Sequence, residues 1–207
     1  LDKNHDDNLK TCLLLGIVKD AKDDVDQEHF KKYYNVLTTK YGDTEFGKEA
    51  KNRISPEPKI SIGKTIPKFS FVSMENPKTT YTNQFFKSKI YLIDFWATWC
   101  GPCVREMENL HKTYEKFKSK GFEILSLSID SDLKIVMKFR QEKWKMPWHN
   151  VYIGEGFESS TARDFEVGGI PKPILVDGKT GKILAFGSEL QGEKLGKTLA
   201  KFLGGAK

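Results

Sequence analysis

The chain is poor in cysteine and has no long hydrophobic run, and each absence narrows what the protein can be. Three cysteines in 207 residues are too few to hold together a small disulfide-rich domain. No stretch approaches the roughly 18–20 consecutive apolar residues that a membrane-spanning helix needs. The longest compact apolar run near the start, Cys12 to Val18, has acidic residues on both sides and lacks the basic leader of a signal peptide. Because position 1 is Leu1 rather than methionine, the possibility of a targeting segment further upstream stays open.

Arginine is scarce too, so the net charge of +6 is carried by lysine. A basic chain can bind nucleic acid, but these lysines are interspersed with Asp and Glu in the sequence. No Lys/Arg run with interleaved aromatic residues occurs. This pattern is typical of an ordinary solvated surface, and we expect no nucleic-acid partner.

The first sixty or so residues favour helices, because apolar side chains recur there at helical spacing. One stripe consists of Leu9, Cys12, Leu13 and Ile17, and a second of Phe30, Tyr33, Tyr34, Leu37 and Tyr41. Asp43 or Thr44 could cap a third, short helix. The proline-rich run Ser55-Pro56-Glu57-Pro58 is the best boundary candidate. We therefore expect a helical segment over residues 1–58 and a separate domain over residues 59–207.

Beyond that boundary, predicted strands alternate with predicted helices, which indicates a layered α/β sheet. The strands are expected at Phe69–Val72, Thr79–Thr82, Ile90–Trp96, Phe122–Ile129, Ile174–Val176 and Ile183–Phe186. Helices are expected after Cys103, after a cap at Asp132, from Ser159 or Ser160, and around Leu195, Leu199 and Phe202. An Asp-Gly turn between the last two strands suggests that these two are antiparallel.

Two cysteines lie two residues apart where the buried strand Ile90–Trp96 passes into an amphipathic helix. Free backbone N–H groups and the positive end of the helix dipole stabilise a thiolate there, and the thiolate is the form that attacks disulfides. Cys100, nearer the helix N-terminus, is expected to be the more exposed, attacking thiol, and Cys103 to resolve the mixed disulfide. A zinc site would need a second Cys/His pair, whereas the four histidines are scattered, so we expect no metal.

The cysteine motif and its surroundings resemble a known family. Trp99-Cys100-Gly101-Pro102-Cys103, following Asp94-Phe95-Trp96-Ala97-Thr98, closely resembles the thioredoxin superfamily. Further segments are similar to its TlpA/ResA-like branch: Ile62–Phe69, Cys103–Met107, Gly121–Asp130, Gly169–Pro171 and Ile174–Asp177. The resemblance runs from about Ser61 to the C-terminus and leaves the first sixty residues uncovered. It implies a thioredoxin-like central mixed sheet flanked by helices, preceded by the N-terminal helical segment.

Two carboxylates are candidates for moving protons at the thiols. Asp94 is the only charged residue in the apolar run before the cysteines, and a buried carboxylate without a partner tends to stay protonated. It matches the buried acid of thioredoxins, which exchanges a proton with the inner cysteine; the alternative is a strand-end aspartate facing solvent. Glu106 lies one helical turn after Cys103 and matches the acid of the ResA-like branch. The alternative for Glu106 is a solvated helix glutamate.

The resemblance also implies a surface that docks the substrate polypeptide. In this family the proline before the fourth sheet strand is cis and faces the cysteines, and by motif match that residue is Pro171. The backbone of Ile170 would then pair with an incoming peptide, with Trp99, Gly101 and Pro102 as further contacts. Most X–Pro bonds are trans, so an ordinary proline opening a strand is the alternative. Pro173 departs from the family pattern.

Two residues near these motifs have simpler interpretations. Trp96 is expected to pack in the core rather than take part in chemistry. Cys12, which lies among leucines on a predicted helix, is expected to be a buried small hydrophobe.

The resulting functional hypothesis is a thiol-disulfide oxidoreductase of cell redox homeostasis that works without a cofactor. The family resemblance implies disulfide- or dithiol-containing protein substrates, an upstream electron donor with a membrane-bound donor as one candidate, and a periplasmic location, soluble or tethered. One alternative is a thiol-dependent peroxidase, which needs a threonine three residues before its cysteine, where this chain has Ala97. Another is a non-catalytic binding module on the same fold.

Overall fold

The computed structural model describes residues 10–18, 27–53 and 58–204. The chain divides into two compact units, Leu1–Pro58 and Lys59–Lys207. The proposed boundary at Ser55–Pro58 lies largely outside the described residues, since residues 54–57 are not among them.

The described part of the first unit is helical. Helix α1 covers residues 10–18, α2 covers Gln27–Asn35 and continues as a π-helical turn over Val36–Lys40, and α3 covers Glu45–Arg53. Thr44 precedes α3, and its Oγ1 accepts a hydrogen bond from the backbone N–H of Gly47 at 3.1 Å. A small core joins residues from all three helices: Leu15, Val18, Phe30, Tyr34, Leu37 and Ala50.

The apolar face predicted for α1 was wrong. Leu13 is 62% exposed and Ile17 43% exposed, and Cys12 is exposed as well rather than buried. The buried face consists instead of Thr11, Leu15 and Val18, which also recur at helical spacing. The run from Cys12 to Val18 is apolar on more than one side, so its periodicity could not decide which side faces the core.

The second unit contains a five-stranded mixed sheet, which confirms the predicted fold class. A two-stranded antiparallel hairpin, β1 (Ser70–Val72) and β2 (Thr80–Thr82), precedes it. The sheet order is β5-β4-β3-β6-β7, with β3 parallel to β4, β4 parallel to β5, and the pairs β3–β6 and β6–β7 antiparallel. The strands span β3 Ile90–Trp96, β4 Phe122–Ser128, β5 His149–Tyr152, β6 Lys172–Asp177 and β7 Lys182–Phe186.

Four helices belong to this unit: α4 Gly101–Phe117, α5 Leu133–Glu142, α6 Ser160–Asp164 and α7 Glu193–Leu203. Helix α4 is amphipathic, as predicted, and its buried face includes Met107, Leu110, Tyr114 and Phe117. It ends in a 3₁₀ turn before Gly121, whose φ of 92° lies in the left-handed region that glycine tolerates best. On the later helices, the apolar residues Leu133 and Phe202 are more than 40% exposed. Among the residues that the structure describes, no helix is long and apolar enough to cross a membrane.

Strand β5 was not predicted. His149 and Asn150 open this edge strand and interrupt its apolar pattern, so the local sequence carries little strand signal. The strand is held by parallel pairing with β4, in which His149 aligns with Leu125 and Tyr152 with Ser128.

The predicted N-cap of α5 at Asp132 is confirmed, and its contribution to the free energy of unfolding can be measured. The Oδ1 of Asp132 accepts a hydrogen bond from the backbone N–H of Lys134 at 2.8 Å. We expect Asp132→Ala to lower the free energy of unfolding by about 1 kcal/mol, because a helix N–H loses its acceptor. Urea denaturation measures the loss, with Ser131→Ala at the exposed neighbouring position as the control. Equal unfolding midpoints for the two variants would show that the cap contributes nothing.

Candidate active site

The site forms where β3 ends and α4 begins. A tight turn follows Trp96, in which the backbone N–H of Cys100 donates to the carbonyl of Ala97 at 3.1 Å. Cys100 and Cys103 are joined by a disulfide, with their Cα atoms 5.3 Å apart. Trp96 itself is 1% exposed and belongs to the core, as predicted.

Cys100 is the N-cap residue of α4, which places its sulfur at the positive end of the helix. Its Sγ accepts a hydrogen bond from the backbone N–H of Cys103 at 3.1 Å. Pro102, in the first turn, has no N–H to leave unsatisfied there. A thiolate at Cys100 would therefore accept a hydrogen bond from this backbone N–H and lie at the favourable end of the helix dipole.

Cys100 is expected to be the more exposed of the two cysteines, but the structure shows only a small difference. Cys100 is 4% exposed and Cys103 is 2% exposed, so both are buried. The sulfur of Cys100 turns back towards the first turn of α4 instead of outwards, which accounts for its low exposure.

Asp94 lies inside the sheet rather than at a solvent-facing strand end. It is 5% exposed and aligns with Ser126 on β4 and with Pro173 on β6. Burial, followed by the nearby negative charge of Glu106, raises the pKa of Asp94 to about 7. Near neutral pH this carboxyl group can therefore either hold a proton or accept one.

Glu106 is half-buried on α4 and is held in place by backbone. Its Oε2 accepts a hydrogen bond from the N–H of Gly192 at 2.9 Å and a longer one from the Nδ2 of Asn109 at 3.4 Å. Gly192 directly precedes α7 and has a φ of 55°. The glutamate is thus directed towards the loop before α7 and is not a freely solvated side chain.

A small cleft, which we call the acid cleft, brings the two acids and the inner cysteine together. Asp94, Cys103 and Glu106 line it, with Pro171, Pro173, Leu110, Leu190 and Gln191 forming the rest of its wall. Its volume is about 10 Å³, close to the roughly 10–15 Å³ that one water molecule needs. Cys103 therefore shares an enclosed space with two carboxyl groups, while Cys100 is not among the residues that line it.

The five residues predicted to contact substrate differ in exposure. Trp99 is 60% exposed, and its ring lies edge-on to Phe157 with centroids 6.3 Å apart. Gly101 and Pro102 are exposed, whereas Ile170 and Pro171 are half-buried. The peptide bond between Ile170 and Pro171 is cis, as expected for this proline.

A buried acid that was not predicted from the sequence, Asp130, supports the turn before the cysteines. Asp130 is 2% exposed and follows β4. Its Oδ1 accepts from the hydroxyl of Thr98 at 2.6 Å, both of its oxygens accept from the N–H of Thr98 at 3.1 Å, and its Oδ2 accepts from the Oγ of Ser128 at 2.8 Å. An aspartate at the end of an apolar strand parallel to β3 was the available signal. Among the described residues, no group of three or more His, Cys, Asp or Glu side chains could hold a metal ion.

The electrostatic interaction between the two carboxyl groups leads to a prediction about Glu106. Replacing it with glutamine removes a negative charge near Asp94 and the thiols, so the ionised forms of its neighbours become less costly. In Glu106→Gln we expect the midpoint of the pH profile for alkylation of Cys100 in the reduced protein to fall by roughly 0.5–1 pH unit. Glu108→Gln is the matched control, because Glu108 lies on the same helix but is exposed and paired with Lys112 at 2.6 Å. An unchanged profile in Glu106→Gln would remove this residue from the mechanism.

Comparison with known proteins places this architecture in a family. The family model described as Redoxin matches residues 61–200. The chain is 34% identical over 150 residues to the thiol-disulfide oxidoreductase ResA of Bacillus cereus, covering 72% of this chain and 80% of the relative. A ResA from Bacillus thuringiensis subsp. konkukian is also 34% identical, over 148 residues, covering 71% of this chain and 79% of the relative.

Solved structures agree with these relatives. The thioredoxin domain of a thiol-disulfide oxidoreductase from Bacteroides vulgatus superposes with a TM-score of 0.62 at 32% identity, covering 70% of this chain and 99% of that one. A thiol:disulfide interchange protein from Bacteroides sp. gives a TM-score of 0.61 at 33% identity, with coverage of 72% and 93%. With its cysteine pair at the start of α4, the chain thus belongs to the Redoxin family and is a TlpA/ResA-like thiol-disulfide oxidoreductase of the thioredoxin superfamily.

Proposed function

We propose that this oxidoreductase reduces disulfides in proteins outside the cytoplasm through its Cys100-Gly101-Pro102-Cys103 dithiol. The observation that carries the proposal is the different surroundings of the two sulfurs. Cys100 caps the helix that stabilises a thiolate, and Cys103 lies in a cleft with Asp94 and Glu106. Cys100 is therefore suited to attack the substrate, and Cys103 to lose its proton only after the mixed disulfide has formed.

The reaction begins with the reduced pair. The Cys100 thiolate attacks one sulfur of the substrate disulfide, a mixed disulfide forms, and the other substrate sulfur leaves as a thiolate that takes up a proton. The helix N-terminus favours the attacking anion before the reaction. No electrons have left the two proteins at this point, since one disulfide has replaced another.

In the second step Cys103 releases the substrate. Its thiol loses a proton to the carboxylate of Asp94, and the resulting thiolate attacks the Sγ of Cys100. The bond between Cys100 and the substrate breaks, and the second substrate sulfur leaves and is protonated. The substrate has gained two electrons and two protons, and the enzyme now carries the Cys100–Cys103 disulfide seen in the structure.

Substrate contact is proposed for the surface around the motif. Trp99 offers a large exposed aromatic ring, and Gly101 beside it leaves room for a polypeptide backbone. Ile170 and Pro171 border the same site, and Pro171 also lines the cleft with Cys103. An extended segment around a substrate disulfide fits these contacts, because it offers both apolar side chains and free backbone groups.

The substrates and their compartment can be identified by trapping. In Cys103→Ser the mixed disulfide cannot be resolved, so partners should stay attached to Cys100 when this variant is expressed in its source cells. We expect mass spectrometry to find exported, disulfide-containing proteins and the upstream electron donor. A set of trapped proteins confined to the cytoplasm would contradict the proposed location.

The peroxidase alternative is less well supported. Ala97 occupies the place of the required threonine, and the neighbouring hydroxyl of Thr98 already donates to Asp130 at 2.6 Å. We expect the reduced protein to consume hydrogen peroxide no faster than the Cys100→Ser variant does. Rapid turnover that depends on Cys100 would favour the peroxidase instead.

A further inference from the structure

A second cavity lies at the end of the sheet away from the cysteines. Residues 84–90, which lead into β3, form one wall, and the turns before β4 and between β6 and β7 form the others. We call it the basal cleft; its volume is about 560 Å³, within the range of small-molecule sites. It lies at the Ile90 end of β3, whose seven residues span about 20 Å to the Trp96 end. The basal cleft is therefore separate from the redox site.

Lysines from three separate segments meet in the basal cleft. Lys87 and Lys89 precede β3, Lys120 precedes β4, and Lys179 lies in the β6–β7 turn. The three segments are far apart in the sequence, so the fold creates a concentration of positive charge that the sequence does not show.

Little negative charge compensates these lysines. Asp177 is the one acidic residue among the described residues that line the basal cleft, and its oxygens already accept from the N–H of Lys179 at 2.9 Å and the hydroxyl of Thr180 at 2.6 Å. Lys89 pairs with Glu123 at 3.7 Å. Within the described ranges the other three lysines form no ion pair, and the Nζ of Lys120 lies 5.6 Å from the Phe117 ring. The basal cleft thus keeps a net positive charge.

The basal cleft also has an apolar side. Phe85 is 48% exposed although its ring packs edge-on against Tyr81 and His149, with centroids 5.0 and 5.2 Å away. These contacts hold the ring in place while part of it stays in solvent. Leu203, at the end of α7, lines the same cavity. A ligand that fills the basal cleft would cover apolar surface as well as meet the lysines.

We propose that the basal cleft binds a phosphate group attached to an apolar body. Lysine ammonium groups bind phosphate as point charges, and several around one concave site suit the negatively charged oxygens of a phosphate group. The Ser88 hydroxyl adds a hydrogen-bond donor, and Phe85 with Leu203 provides the apolar contact. A phospholipid headgroup and a soluble organic phosphate share this chemistry.

The test uses the full chain and two probes, phenyl phosphate in solution and vesicles of phosphatidylglycerol, with phosphatidylcholine vesicles for comparison. The triple variant Lys87→Gln/Lys120→Gln/Lys179→Gln removes the three cleft lysines that pair with no acid among the described residues, and all three are exposed. Lys78→Gln/Lys134→Gln/Lys138→Gln is the control, because it removes the same charge at exposed positions outside the cleft. Calorimetry measures phenyl phosphate binding, and vesicle flotation measures lipid binding.

We expect the cleft variant to weaken binding by about tenfold or more and the control variant to leave it unchanged. Both should reduce insulin disulfides at the normal rate, because neither touches the cysteine motif. Binding of phenyl phosphate would identify a soluble phosphate as a sufficient ligand, and binding of phosphatidylglycerol vesicles alone would identify the headgroup. Equal losses in the two triple variants, or no binding of either probe, would overturn the proposal.

Discussion

Replacing Cys100 with serine should reduce insulin disulfide reduction to the uncatalysed rate, a loss of at least about 1,000-fold. The serine hydroxyl stays protonated at neutral pH, so the position at the start of α4 no longer holds a nucleophile. Insulin turbidity with dithiothreitol as the electron source measures the rate. Because Cys103 lines the acid cleft, where the two carboxyl groups disfavour its thiolate, it should not substitute for the missing thiol.

Cys12→Ser provides the matched control for that experiment. Cys12 is an exposed free cysteine on α1, and we expect its replacement to leave the rate unchanged. Equal rates for wild type and Cys100→Ser would instead favour the non-catalytic binding module, in which the cysteine pair is incidental.

Replacing Asp94 with asparagine should slow the release of substrate by about 100-fold at pH 7, at the lower end of the range for general acid–base catalysis. The amide cannot take the proton of Cys103, whereas attack by Cys100 needs no base in the cleft. The mixed disulfide should therefore accumulate in Asp94→Asn, and quenched-flow mass analysis would detect it. Normal release kinetics would show that Asp94 is not the base that deprotonates Cys103.

The same substitution should stabilise the oxidised protein at alkaline pH. Because the pKa of Asp94 is raised from 3.8 to about 7, the folded protein holds the proton more tightly than the unfolded chain does. Stability is therefore lost as pH rises from about 4 through about 7, by up to about 4 kcal/mol. Asp94→Asn removes this loss, so it should be more stable than wild type at pH 8 and nearly equal at pH 4.

Urea denaturation at the two pH values measures this difference. Asp164→Asn is the control, because that side chain is 63% exposed and pairs with Lys59 at 3.5 Å. Parallel pH dependences for wild type and Asp94→Asn would mean that the buried carboxyl group is not neutralised in the folded state.

Much of the second unit could be predicted because local signals and family motifs agree there. The apolar run Ile90–Trp96, the cap at Asp132 and the Asp-Gly turn between the last two strands each have a direct physical cause, and the structure has the corresponding elements. The position of the cysteine pair could be predicted in the same way, because it follows a strand and lies at the N-terminus of the next helix.

The features that escaped prediction depend on contacts between distant segments. Glu106 is oriented by Gly192, 86 residues later in the chain, and the acid cleft is closed by Leu190 and Gln191. Strand β5 exists because β4 pairs with it. Helix α1 shows that even the buried face of a single helix can escape prediction. Cys12 and Leu15 lie in the same apolar run, but Cys12 is exposed and Leu15 is buried.

The reduction potential of the Cys100–Cys103 pair tests most directly whether the protein acts as a reductant. Equilibration with glutathione buffers of known ratio, followed by alkylation and mass analysis, yields it. We predict a value near that of thioredoxin, about −270 mV, because the Gly-Pro pair between the cysteines resembles the reducing end of this superfamily. A value near about −120 mV, that of a strong oxidant, would contradict the proposed direction of electron flow.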